Sequence, residues 1–336
     1  MITSSKVQSA NFDHVCSGVQ EVTNGSDKFF LFKLNGESLN MVLRRMGKLE
    51  LISLSYISKK TKKLVKSIDL KATKFTLEFS STTSFYKHSV LNTGYFVPSM
   101  KFNHHLKPED SKYWNFKDCV MHLIDVINLS KIDVFQIGCD NMGPNPDDVC
   151  RIIKGFKVDF MLINSICAPN IATYFLTRLG PSVKHLQLWK NFFDSSETFQ
   201  KVLIGNFDST TFTHPLQMSL DDILTMNCRC VIVSAGGNPN VLINRFIRHW
   251  IRGGSPRMEY VLISGNVARL DTDVIIKGVK HQVADDNRQR VFRHTVKHAI
   301  VPMEEVVIGG CDIRRRDGRM ATVSFLSSCV QIFVWN

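Results

Sequence analysis

The chain has 336 residues, 44% of them apolar and 21% charged, with a formal net charge of +12. That length supports a sizeable core and more than one folded unit, and the composition is that of a globular protein rather than a disordered or fibrous one. No apolar run reaches the roughly 18 residues of a membrane span, and the opening MITSSKVQSANFDHVCSG lacks the charged-then-apolar order of a secretory leader. The expected address is therefore cytoplasmic or nuclear, with no membrane partner. Nine cysteines, odd in number and irregular in spacing, read as reduced small hydrophobes. The closest pair, Cys228 and Cys230, has no second pair at zinc-site distance, so no metal or other cofactor is expected.

In chain order, residues 1–28 are polar and read as a loose tail. Residues 29–68 read as a module of three short helices. From Glu37 to Met46, Leu39, Val42, Leu43 and Met46 fall at i, i+3, i+4 and i+7, one stripe of a helix, with Arg44 and Arg45 off it. Gly47 breaks the period. Leu51, Leu54 and Ile57 resume it over a second helix from Leu49 to Ile57, and a third from Lys59 carries Leu64 and Val65 among Lys59, Lys60, Lys62 and Lys63. Three such helices cannot bury all these groups among themselves. Either the downstream chain or a partner is expected to cover them.

Residues 69–130 read as a strand pair over KFTLEFSSTTSFYKHSV and an irregular connector containing LKPEDSKYWNF. From 131 to 336 a cadence appears: IDVFQIG, VDFMLIN, VKHLQLW, QKVLIG, CRCVIVS, MEYVLIS and EEVVIGG read as strands, mostly separated by helical patterns such as PNIATYFLTRL, SLDDILTMN and NVLINRFIRHWI. A strand–helix unit repeated in this way implies an α/β fold, a degenerate leucine-rich-repeat-like array with each strand added to a parallel sheet. A doubly wound sheet is the competing architecture. No GxGxxG or Walker sequence follows any strand to mark a nucleotide site.

The positive charge concentrates at Lys59–Lys74, Arg245–Arg257 and Arg314–Arg319. The first cluster has no interleaved aromatics for stacking bases, and the third flanks Asp317-Gly318, which reads as a hairpin turn. Nucleic acid thus ranks behind protein as a partner. His104-His105 has no carboxylate or cysteine partner nearby. Asp221-Asp222 reads as the acidic first turn of a helix capped by Ser219, and Asp285-Asp286 as a helix end. With no GxSxG, HExxH or EF-hand loop, the chain is not expected to be an enzyme. Trp189, Trp250 and Trp335 are candidate packing or contact residues. Arg245, Arg248 and Arg252 lie on the polar side of the helix carrying Trp250, a candidate rim for an acidic target together with Trp189.

Against these residues, the opening segment resembles an F-box, a three-helix module that binds Skp-type adaptors of cullin–RING ubiquitin ligases. Leu34, Glu37, Leu39, Val42, Leu43 and Met46 stand in its first part, and Leu51, Leu54, Ile57, Ser58, Lys59 and Lys60 in its second. ELISLSYISKKTKKLVKS is similar to nematode F-box proteins that also carry a type-2 F-box-associated domain. VKHLQLWKNFF, HPLQMSLDDILTMNCRCVIV, LINRFIRHWIRGGSPRMEYVLI and DIRRRDGRMATV resemble that second domain, best over 183–265. The resemblance implies the substrate-recognition subunit of an SCF-type ligase, joined through a Skp-type adaptor to a cullin, with an unidentified protein target held by the C-terminal domain. The alternative is a non-catalytic interaction domain whose F-box no longer docks. Asn35, Gly47-Lys48 and Thr61 replace the proline, Asp-Pro and tryptophan the family pattern expects, so looser helix ends and weaker adaptor binding are expected.

Overall fold

The computed structural model describes residues 31–70, 75–80, 99–102, 116–138, 145–216, 218–235, 238–265, 270–295 and 303–335. The tail 1–28, His104-His105 and the second half of the expected strand pair lie outside these residues. Of the described residues, 31–70 and 119–129 form one compact unit and the rest form another.

The first unit contains α1 (Gly36–Arg45), α2 (Lys48–Ser55), α3 (Lys59–Ser67) and most of α4 (Phe116–Ile127). Each of the first three begins at a polar cap. Asn35 accepts from the Ser38 N–H at 2.8 Å, the Gly47 N–H donates to the Glu50 carboxylate at 2.8 Å, and Ser58 and Thr61 bond reciprocally at 3.1 and 2.9 Å. Such caps satisfy the orphan donors of a first turn and contribute about 1 kcal/mol each. The positions that lack the family's prolines are thus held by hydrogen bonds, and the helix starts are not loose. Helix α4 falls in the expected connector. Its Val120, Leu123, Ile124 and Ile127 are buried at helical spacing, and it ends where Asn128 adopts φ 53° and the Leu129 N–H reaches back to Ile124 O at 3.0 Å, a left-handed C-terminal cap.

The second unit is built on β1 (Thr76–Ser80), β2 (Ser99–Phe102), β3 (Lys131–Gly138), β4 (Lys157–Ile163), β5 (His185–Leu188), β6 (Ser209–Leu216), β7 (Cys230–Ala235) and β8 (Tyr260–Gly265). All eight run parallel, in the order β2-β1-β3-β4-β5-β6-β7-β8. Helices α5 (Pro146–Ile153), α6 (Pro169–Leu179), α7 (Ser196–Leu203), α8 (Leu220–Thr225) and α9 (Asn240–Ile251) connect β3 through β8 in turn. From β3 to β8 the order never reverses. Right-handed crossovers that always step the same way place every helix on one face. That is the repeat-like arrangement; a doubly wound sheet would reverse direction. Phe135 of β3 meets Phe175 of α6 edge-on at 5.5 Å, and Phe212 of β6 meets Phe199 of α7 at 5.7 Å, so this face carries the main core.

Several expectations are corrected. QKVLIG is not a strand but the end of α7, started by Ser195 accepting from the Thr198 N–H; the strand of that repeat is β6. β1 supplies the first strand of the expected pair and lies parallel between β2 and β3. Asp285-Asp286 stands in the segment after β9 (His281–Val283), not at a helix end. Nor is the array parallel to its end. After α10 (Thr272–Ile276), strands β12 (Cys311–Arg314), β13 (Met320–Phe325) and β14 (Cys329–Trp335) pair antiparallel, β14 lying against β8 and β9 at the far edge. EEVVIGG supplies β11 (Glu304–Ile308), which pairs with β10 (Gln289–Arg293) in a separate ribbon. Gly309 and Gly310, at φ 59° and 89°, turn the chain from ribbon to sheet. A Cβ on Gly310 would stand 2.8 Å from Val323 O, so a side chain fits neither the backbone angle nor the space.

The ribbon covers the helix-free face. Phe292 and Val307 pack with Cys230, Ile232, Tyr260 and Phe333. On the same face further along, Leu162, Gln187, Ser209 and Thr211 are also buried, so the sheet is covered on both sides there.

Candidate functional site

The two surfaces singled out by sequence belong to different units. In the first, the leucines divide. Leu43, Leu51 and Leu54 are 0%, 2% and 9% exposed, covered by the chain itself. Leu34, Leu39, Val42 and Met46 are half-buried, and Glu37, Lys59 and Lys60 are exposed. Ile57 is 61% exposed. Two further apolar groups were not singled out: Met41, 56% exposed, and Phe32, 47% exposed. Met41 could have been found, because it is an apolar residue on the otherwise polar side of α1, one turn after Glu37.

Electrostatics sorts the lysines of α3. Lys62 and Lys66, one turn apart, both reach Asp125 of α4, at 2.7 and 2.5 Å, and their ammonium groups hold its carboxyl below the usual carboxylate range. Lys59, Lys60 and Lys63 remain outward, with the Lys60 ammonium 5.6 Å from the Phe32 ring centre. Between α2 and α4, His122 stacks on Tyr56 at 4.0 Å and meets Ser55 Oγ at 2.8 Å. Ser55 donates its own proton to Ile52 O at 2.6 Å, so the imidazole Nε2–H is the donor to Ser55 Oγ. Burial, with Lys62 adding to it against Asp125, pushes the His122 pKa down to about 4. The ring is neutral at pH 7 and serves as a buried hydrogen-bonding strut.

In the second unit, Trp189 is half-buried just past the carboxyl end of β5, its backbone N–H extending the ladder to Ile163 O at 3.0 Å. Arg245, Arg248 and Arg252 are exposed along α9 and its end. A crossover helix runs back against its strands, so Arg248 and Arg252 stand toward the strands' amino ends. Trp189 and this arginine group are thus at opposite ends of the repeats and are not brought together. Trp250 is fully buried. Cys228 and Cys230 are buried as well, and burial pushes their thiols up to about 11 and about 12, leaving them protonated and poorly nucleophilic at neutral pH. Among the described residues no helix is long and apolar enough to cross a membrane.

The F-box domain family matches residues 31–73, which span α1, α2 and α3, and the F-box associated family matches residues 198–263, from α7 into β8. The chain therefore carries an F-box domain followed by an F-box associated domain. Over 246 residues it is 24% identical to a Caenorhabditis elegans protein described as F-box associated domain-containing protein sdz-33, covering 68% of this chain and 76% of that one. No solved structure matches. The second match includes the whole of α9 with Arg245, Arg248 and Arg252. Both domains are of recognition types rather than catalytic ones.

Proposed function

We propose that this chain is the target-recognition subunit of an SCF-type cullin–RING ubiquitin ligase. Its F-box unit docks a Skp-type adaptor, and through it a cullin, while the second unit holds a protein target. The observation that supports this most is the number of apolar side chains the first unit leaves uncovered: Phe32, Met41 and Ile57 are exposed, and Leu34, Leu39, Val42 and Met46 are half-buried. Closing a partner over such groups contributes on the order of 1.5–3 kcal/mol for each one fully buried, before association costs. Leu43, Leu51 and Leu54 act as interior support for these side chains. Glu37, Lys59 and Lys60 form the polar border and steer the partner.

The test is capture of the purified chain by a purified Skp-type adaptor, with Met41→Asp and Ile57→Asp as variants. Both residues are exposed, so the variants keep the wild-type melting temperature while losing capture. Wild-type protein that is not captured overturns the proposal. It would instead support the second reading, a non-catalytic interaction protein with a non-docking F-box, which the residues Asn35, Gly47-Lys48 and Thr61 favour.

A further inference from the structure

In a strand–helix array the helix-free face of the sheet is the open one, yet here Leu162, Gln187, Ser209 and Thr211 on that face are buried, and the β10–β11 ribbon lies over Cys230, Ile232 and Tyr260. Over β4 to β8 a target has to be met elsewhere, whereas Val134 and Gln136 of β3 and Thr76 and Glu78 of β1, on the same face, are only half-buried. At the amino ends of β7 and β8, three segments are stitched together. The Arg316 N–H donates to Ile251 O at 2.8 Å, and Arg315 Nη2 to Gly253 O at 3.3 Å, tying the β12–β13 turn to the end of α9. The Asn244 side-chain amide donates to Ile275 O at 2.8 Å and Lys277 O at 2.9 Å, tying α9 to the segment after α10. These bonds bring Lys277 and Arg316 against the helix that carries Arg245, Arg248 and Arg252, with Lys280 three residues beyond Lys277; all six are exposed. The carboxylate of Asp317 in the same turn is engaged by Arg315 at 3.3 Å and Arg319 at 3.8 Å.

Several cations elsewhere in this unit are matched, Arg229 by Glu259, Arg257 by Asp208, Arg288 by Asp312 and Lys131 by Asp133 and Asp159, while others, such as Lys154 and Lys190, have no carboxylate partner among the described residues. Among the described residues, none of the six rim cations has a carboxylate partner. Like charges held together repel one another and are relieved by an anionic partner. The geometry points to this rim as the docking surface for an acidic, extended segment of the target protein, an inference that rests on the target-holding role proposed above.

Peptide fits better than single-stranded nucleic acid. The latter needs open aromatic faces, whereas Trp250 is buried and the Trp335 ring is covered by the Arg290 guanidinium at 3.6 Å.

The experiment is a fluorescence-anisotropy titration of the full-length chain with a labelled oligo-glutamate peptide. The neutralised pair Arg248→Gln/Arg252→Gln is compared with a distant exposed pair, Lys154→Gln/Lys157→Gln. The rim pair is expected to weaken binding about tenfold and flatten its salt dependence, while the distant pair changes it by less than about twofold. If the rim pair lowers the melting temperature, Arg316→Gln supplies a second arm outside α9, with an expected loss of about threefold. Equal losses from rim and distant pairs, no peptide binding by the wild type, or tighter binding of a single-stranded oligonucleotide than of the peptide would each overturn the inference. No adaptor is present in this assay, so its failure leaves adaptor capture as it was. Loss of adaptor capture with peptide binding retained counts against the ligase role and not against the rim.

Discussion

The F-box unit and the repeat-like unit solve burial in opposite ways. The first is made of helices of eight to twelve residues, too short to be stable alone. It holds them with side-chain caps, the Lys62–Asp125–Lys66 bridge and the His122 strut, and it leaves Met41 and Ile57 to water. The second also has side-chain caps at Asn145, Ser195, Ser219 and Asp271 and ion pairs of its own. Its strands, however, bury residues on both faces, and its helices cover a continuous apolar layer. Specific polar joints let a small unit keep an apolar surface exposed, whereas a large core leaves a partner only the rim.

The contrast can be broken or sharpened experimentally. The largest effect is expected from Trp250→Ala, which empties the layer between α9 and the sheet. It should cost about 3–5 kcal/mol, read as a lowered denaturation midpoint of the second unit. Leu43→Ala should cost about 2–4 kcal/mol in the first unit, while Met41→Ala, on the same helix but exposed, should stay within about 0.5 kcal/mol. Comparable losses from these two would show that α1 is not divided into an interior and an outward side. Acid provides the third test. The folded-state pKa of His122 is depressed from 6.5 to about 4, so the stability it contributes is complete above pH 6.5 and is lost as pH falls toward 4. A loss on the order of 2 kcal/mol in the first unit is expected across that window, and His122→Gln should remove the pH dependence there. The smallest effect is Asn35→Ala, about 1 kcal/mol, visible as faster amide exchange at Ser38 with adaptor capture retained.

Much of the second unit was legible because strands covered on both faces read as continuous apolar runs, as IDVFQIG, CRCVIVS and MEYVLIS do. β6 was missed for the complementary reason. Ser209, Thr210 and Thr211 are buried there, with His185 on Ser209 and Cys228 on Thr210 supplying hydrogen bonds. Polar letters thus hid an interior strand, and the neighbouring apolar QKVLIG took its place. Helix α4 had a readable stripe at Val120, Leu123, Ile124 and Ile127, masked by the polar segment before it. In the F-box unit, spacing identified the stripe of α1 but could not say which members the chain would cover. That depends on α2, α3 and α4, which periodicity within one helix does not encode. The arginines of α9 were legible as an outward face; their convergence with Lys277 and Arg316 depends on hydrogen bonds from Asn244 to Lys277 and from Arg316 to Ile251, between segments far apart in the chain.

The position of β14 has a consequence for synthesis. It fills the place between β8 and β13, yet it is the last of the described strands to leave the ribosome. Until then the edge of β8, with Tyr260, Val261 and Ile263, is an open apolar template for any other extended chain. A nascent or prematurely terminated product lacking residues 329–335 is therefore an aggregation hazard, and co-translational chaperone contact is expected to persist until that final strand has closed the gap.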